Sequence, residues 1–155
     1  AAAKWLAEKP YIDNKNVGIW GWSYGGFMSS LCIMKGNDIF TTAIAVAPVT
    51  NFKYYDSIYT ERYMRTPREN EQGYNDNAPT HWADKLKGNL LLCHGTADDN
   101  VHVQNTYELA ECLVQANKQF DMAIYTNRNH SIYGGNTSLH LYTRFVNYLK
   151  THMQK

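Results

Sequence analysis

The stretch NVGIWGWSYGGFM, residues 16–28, decides the fold. It opens as a short apolar strand (Val17, Ile19, Trp20), turns sharply through Gly21-Trp22-Ser23-Tyr24-Gly25-Gly26, and continues with helical spacing at Phe27, Met28, Leu31 and Met34. This is G-x-S-x-G at a strand-to-helix turn, the sequence form of a nucleophile elbow. Such a turn is expected to force Ser23 into a strained backbone conformation. The chain two residues to either side, Gly21 and Gly25, is expected to pack too closely for a Cβ. The helix that follows directs its free N–H groups and positive dipole end towards the serine, where an oxyanion would form. A glycine-rich turn with an ordinary serine is the alternative, and the strand before and helix after weigh against it.

Outward from this turn, the totals set limits. At 155 residues the chain fits one domain and can bury a core. It is 44% hydrophobic and 19% charged with a net charge of +1, which gives no electrostatic reason to expect nucleic acid or an anionic membrane as partner. Twelve tyrosines favour a surface or pocket that receives something amphipathic. No apolar run has the length of a membrane span, no signal peptide is visible, and AAAKWLAEK at the start reads as part of a helix rather than a natural beginning. Cys32, Cys93 and Cys112 lie in apolar segments without a C-x-x-C pair and read as buried free thiols.

Residues 1–9 are strong helix formers stopped by Pro10, and the helix after Ser23 should end near Gly36-Asn37. AIAV (43–46), NLLLC (89–93) and DMAIY (121–125) are further strand candidates; the first strand (Val17, Ile19, Trp20) and AIAV lack polar alternation, as strands covered on both faces do, and NLLLC reads as a third buried strand. Between them, residues 50–82 carry Phe52, Tyr54, Tyr55, Tyr59, Tyr63 and Tyr74 among polar residues. Tyr55, Tyr59 and Tyr63 stand four apart, so a helix would align them, part packing and part pocket wall. After the third strand, Asp99 or Asn100 could cap a helix with Val103, Tyr107, Ala110, Leu113 and Val114 on one stripe. Thr137 or Ser138 would cap a last helix with Leu141, Phe145, Val146 and Leu149 on its apolar face. Four strands alternating with helices make an α/β fold, a mostly parallel sheet flanked by helices. An α/β-hydrolase sheet places several strands before its nucleophile, and only about twenty residues precede Ser23. The reading is therefore the C-terminal part of an α/β-hydrolase catalytic domain over residues 1–155.

A serine hydroxyl needs a base beside it and a third group to orient that base. The loop after the third strand offers Asp98 or Asp99, and the loop after the fourth offers His130. The order serine, acid, histidine is that of α/β-hydrolases. His94 reads as a satisfied core group, and the remaining histidines show no metal-ligand spacing, so neither metal nor cofactor is expected.

The blocks GWSYGG (21–26), AVAPV (45–49), YYDSIYTERYM (54–64), HGTADDNVH (94–102) and NRNHSIY (127–133) resemble the catalytic segment of the prolyl oligopeptidase family, specifically its dipeptidyl peptidase IV branch. The resemblance runs from Asp13 nearly to the end. It implies Ser23, Asp98 and His130 as the triad, with Asp99 structural, and the backbone N–H of Tyr24 as an oxyanion donor. It implies Tyr55, Tyr59 and Val101, with Val49 near them, as the box for a proline ring, and Asn100 as the amide that binds a substrate carbonyl. The implied activity is removal of Xaa-Pro or Xaa-Ala dipeptides from peptide N-termini, by a longer, dimeric parent protein outside the cytoplasm, in the periplasm or at the cell surface.

Departures from the family pattern matter as well. A second oxyanion donor, a tyrosine, and the propeller glutamates that bind the substrate amine belong to upstream sequence, so the isolated chain is expected to be nearly inactive. Phe52 stands where tryptophan is frequent, Ser131 where glycine is commoner, and Thr42 where animal enzymes carry a disulfide cysteine, which fits a bacterial relative. The competing readings are another α/β-hydrolase, an acyl-peptide hydrolase or esterase, and a non-catalytic interaction subunit.

Overall fold

The structure, a computed structural model, describes residues 1–153. Its sheet has four parallel strands in the order β1 (Val17–Trp22), β2 (Phe40–Val46), β3 (Asn89–Gly95) and β4 (Asp121–Tyr125). The two central strands explain the layers. Ala43 and Ala45 of β2 and Leu90 and Leu92 of β3 face one side, where they pack on Ile33 and Met34 of α2 (Tyr24–Lys35) and Leu109 and Leu113 of α5 (Gln104–Gln115). Their alternates Ile44, Val46, Leu91 and Cys93 face the other side, against Leu141, Phe145 and Tyr148 of α6 (Thr137–Met153). These two strands, apolar on both faces, thus sit between two helical layers, as their lack of alternation requires, whereas β1, expected to be covered likewise, lies at the edge of the sheet and leaves Trp20 exposed. Cys93 is buried, Cys32 and Cys112 are half-buried, and all three are free thiols. Among the described residues, no helix is long and apolar enough to cross a membrane.

A short helix α1 (Ala2–Ala7) buries none of its residues. Between β2 and β3 the chain forms a 3₁₀ turn (Phe52–Tyr54), α3 (Ser57–Met64), α4 (Glu71–Asp76) and a second 3₁₀ segment (Pro79–Lys85). Asn51 and Asp56 start the first two, their side chains accepting from the N–H of Lys53 and of Tyr59.

Two helical faces differ from the periodicity. The buried side of α5 carries Asn105, Thr106, Leu109 and Leu113, whereas Tyr107 and Val114 are exposed. Two polar residues displace the apolar stripe because both have buried partners: Asn105 binds Thr50, and Thr106 binds His94. Neither Asp99 nor Asn100 caps this helix; the residue before it is Val103. On α6, Tyr148 rather than Val146 completes the buried face.

The elbow glycines also separate. A Cβ on Gly21 would fall 2.3 Å from the Gly25 carbonyl oxygen, and one on Gly26 would fall 2.8 Å from that of Val46. A Cβ on Gly25 meets nothing within 4 Å, so the close packing expected there belongs to Gly26, where α2 lies against the end of β2. Gly21→Ala is therefore expected to destabilise the protein by about 3 kcal/mol or to prevent folding, because backbone must move to admit the methyl group. Gly25→Ala should fold with a urea midpoint close to that of the wild type.

Candidate active site

Ser23 follows the last residue of β1 and precedes the first of α2, with φ 60° and ψ −115°. A left-handed φ is strained for serine, and the surroundings hold it there. The Ser23 N–H donates to the Val46 carbonyl at 2.8 Å, carrying the β1–β2 ladder one residue past the strand. Ala47, also left-handed at φ 42°, donates from its N–H to the Cys93 carbonyl at 2.7 Å. The same edge continues as Thr96 N–H donates to Tyr125 and Ala97 N–H to Arg128, each at 3.0 Å. The loops after all four strands are thus fixed at the carboxyl end of the sheet, where open α/β sheets build their sites. Tyr24 is the first helical residue, so its N–H has no acceptor within α2 and lies beside the serine.

Asp98 is 2% exposed, and four donors surround its carboxylate. Oδ1 accepts from the N–H groups of Asn100 (3.0 Å) and Val101 (2.9 Å). Oδ2 accepts from Nδ1 of His130 at 2.7 Å and faces Nε2 of His94 at 3.3 Å. Burial alone pushes the carboxyl up, but the hydrogen bonds from His130 and His94, the His130 charge and the Val101 N–H outweigh it and hold Asp98 well below the usual carboxylate range. An ionised Asp98 only accepts, so the proton of His130 sits on Nδ1 and leaves Nε2 an acceptor. Asp99, its neighbour, is exposed.

His94 is wholly buried, its Nδ1 2.7 Å from the Thr106 hydroxyl and its Nε2 2.8 Å from the Val101 carbonyl. A carbonyl only accepts, so Nε2 carries a proton, and that same edge faces Asp98. It is the satisfied core group expected, but its spacing of four residues from Asp98 also carried a relation that went unread. A second unread group is Trp22, whose indole N–H donates to the His130 carbonyl at 2.8 Å. Among the described residues, Ser23 Oγ and His130 share no hydrogen bond. The structure joins Asp98 to His130 directly and brings Ser23 to the same sheet edge.

Beside the serine lies an aromatic box. Val49 and Val101 are buried together with Phe27, and Phe52 and Tyr55 pack against them. Tyr59 stacks on Phe52 with centroids 6.4 Å apart and meets Tyr55 edge-on at 5.5 Å; Tyr63 follows at 5.2 Å. Tyr59 and Tyr63 are exposed, so this row is wall rather than core. The Tyr55 hydroxyl donates to Asn100 Oδ1 at 2.9 Å, which leaves the Asn100 amide nitrogen free to donate. An apolar groove of about 630 Å³, lined by Tyr24, Phe27, Leu31, Phe52, Tyr59 and Tyr63 among others, opens on this side.

Over residues 1–155 the sequence matches the prolyl oligopeptidase family. The chain belongs to that family. It is 47% identical over 153 residues to a protein of Ajellomyces capsulatus named probable dipeptidyl-aminopeptidase B, covering 96% of this chain and 16% of the relative. It is 41% identical to dipeptidyl peptidase 4 of Felis catus, covering 96% of this chain and 20% of the relative. Its fold superposes on the crystal structure of Porphyromonas gingivalis dipeptidyl peptidase 4 with a TM-score of 0.96 and 54% identity, covering 98% of this chain and 22% of that one. This prolyl oligopeptidase segment thus spans about a fifth of the proteins it matches, and its sheet and helices are those of an α/β-hydrolase.

The depressed Asp98 carboxyl has a consequence for stability. A group whose folded pKa lies below its unfolded value stabilises the fold above the unfolded value, about 3.9, and loses that contribution as the pH falls through the folded value. Thermal unfolding of the full-length protein should show wild type more stable than Asp98→Asn at pH 6, with the gap narrowing below about pH 4. A gap independent of pH would mean that the carboxylate charge contributes nothing.

Proposed function

We propose that this segment is the C-terminal part of the catalytic domain of a serine exopeptidase that releases Xaa-Pro or Xaa-Ala dipeptides from peptide N-termini. The observation that carries the reading is the 2.7 Å contact between Asp98 Oδ2 and His130 Nδ1 at the sheet edge that also holds Ser23 in a strained elbow. The names of the relatives, dipeptidyl peptidases and aminopeptidases, support the substrate class.

In this mechanism Ser23 Oγ attacks the carbonyl of the second residue while His130 Nε2 takes the hydroxyl proton. The carbonyl oxygen, now an anion, receives the Tyr24 N–H. That donor acts on rate rather than binding, because the charge exists only in the tetrahedral intermediate. Collapse breaks the C–N bond, and His130 gives its proton to the leaving amine. A water molecule, deprotonated by His130, then hydrolyses the ester on Ser23, and the proton returns to Oγ. Asp98 stays ionised throughout, holding the Nδ1–H tautomer and stabilising the imidazolium. The box of Tyr55, Tyr59, Val101 and Val49 offers flat apolar walls to a proline ring, and the Asn100 amide donates to a substrate carbonyl.

The whole protein is proposed to be a homodimer outside the cytoplasm, in the periplasm or at the cell surface. A second oxyanion donor and the anchor for the substrate amine are assigned to the rest of it. Loss of one such donor alone costs about 10²–10³ in turnover, so the isolated segment is proposed to be nearly silent.

The test is fluorophosphonate labelling of the full-length protein followed by turnover of a Gly-Pro amide reporter. Wild type should label at Ser23 and release the reporter. Ser23→Ala should lose labelling and at least about 10⁴-fold of turnover, and Asp98→Asn a similar factor. Labelling without release of the reporter would favour an esterase or acyl-peptide hydrolase. Absence of labelling would leave the non-catalytic subunit.

A further inference from the structure

His130 lies in an irregular loop between β4 and α6, with left-handed backbone at Asn127, Ile132, Gly134 and Gly135. Such a loop has no ladder to fix its position, so the points that tie it down decide where the imidazole stands. One set ties it to the end of β3. Ala97 donates to the Arg128 carbonyl, Asn127 N–H donates to the Thr96 hydroxyl, and His130 itself binds Asp98. Ile132, fully buried, plugs it into the core under α6.

These ties set the histidine relative to its acid and say little about its distance from the nucleophile. Only one hydrogen bond among the described residues joins the loop to the nucleophile's own strand. It is that from the Trp22 indole N–H to the His130 carbonyl, at 2.8 Å. Trp22 immediately precedes Ser23, its ring packs against the Ile132 and Leu141 cluster, and the acceptor is the carbonyl of the base itself. The ring is half-buried and braced by the core, so the indole is a short strut from elbow to base. Its length matters because Ser23 and His130 have yet to close a hydrogen bond in this structure, and a displacement near 1 Å between reacting groups can cost about 10²-fold in rate.

We propose that Trp22 is a positioning residue whose indole N–H, by holding the His130 carbonyl, sets the distance between nucleophile and base. This rests on the triad reading of the proposed function. It assigns Trp22 no contact with the reacting atoms.

The test removes the N–H and keeps the ring, in the full-length protein. Trp22→Phe is one variant. Replacement of Trp22 by 3-benzothienylalanine, in which sulfur stands for the N–H of an otherwise isosteric ring, is the second and decides the matter should Trp22→Phe fail to fold. The fluorophosphonate labelling rate of Ser23 and kcat for a Gly-Pro amide reporter are expected to fall together by about 10- to 100-fold, with KM within about twofold and Tm little changed. The proposal is overturned if the benzothienyl variant keeps full kcat and labelling rate, or if KM rises while kcat is unchanged, as for a residue that only lines a pocket. A wild-type protein that does not label at all refutes the triad reading itself, a result distinguishable from the others before either variant is compared.

Discussion

The site depends on one buried carboxylate held by three hydrogen bonds and a further imidazole edge. Asp98 takes two N–H donors from its own turn, at Asn100 and Val101, and two imidazole edges, from His94 and His130. A buried charge with four donors is stable where a bare one would be neutralised or expelled. Each donor also does structural work. The Val101 N–H fixes the turn that buries Val101 in the cluster with Val49 and Phe27, and His94 links that turn to α5 through Thr106. Asp98, the aromatic box and α5 are therefore positioned by the same few hydrogen bonds, and a change in one is felt by the others.

The second constraint is the continuation of the ladder past the strand ends. Ser23, Ala47, Thr96 and Ala97 each donate sideways to the next strand or its loop, so the irregular backbone at the carboxyl edge stays hydrogen-bonded although two of these residues lie at or beyond a left-handed turn. The strain at Ser23 persists because Gly21 lets the two arms of the elbow approach each other, and Gly26 lets α2 approach the end of β2, more closely than any side chain would allow. At Ser23 the strain is paired with close packing on both sides of the residue.

Much of this was legible in the sequence, for reasons that differ by element. The β2 and β3 runs announced themselves because a strand covered on both faces has no polar alternation, and the elbow because its glycines bracket a serine between two different periodicities. Helix faces were read less well where polar residues are buried. Asn105 and Thr106 look like surface residues until their partners Thr50 and His94, fifty-five and twelve positions away, are in place. The roles of His94 and Trp22 were illegible for the same reason: a hydrogen bond across 108 positions, as between Trp22 and His130, leaves no local pattern. Gly25 was over-read, since two glycines in a motif suggest symmetric crowding and the geometry crowds only one of them, with Gly26 taking the other contact.

The aromatic box shows why tyrosine is so frequent here. A pocket wall must be rigid yet cannot be buried, because its face has to meet the ligand. Aliphatic side chains become rigid only by burial, as Val49 and Val101 are. Aromatic rings have two side-chain torsions and hold one another at the edges. The run Phe52, Tyr55, Tyr59, Tyr63, with successive contacts between 5.2 and 6.3 Å, keeps its orientation while Tyr59 and Tyr63 remain exposed. Each ring beyond the core is braced by the one before it, and the hydroxyl of Tyr55 binds Asn100 and so ties the row to the Asp98 turn. The order of support runs from buried valines to half-buried Phe52 and Tyr55 and then to exposed Tyr59, which is the order in which a proline ring entering the proposed box would meet decreasing rigidity. Tolerance for different residues would then be greatest at the Tyr59 and Tyr63 end, where the wall can yield, and least over Val101, where it cannot.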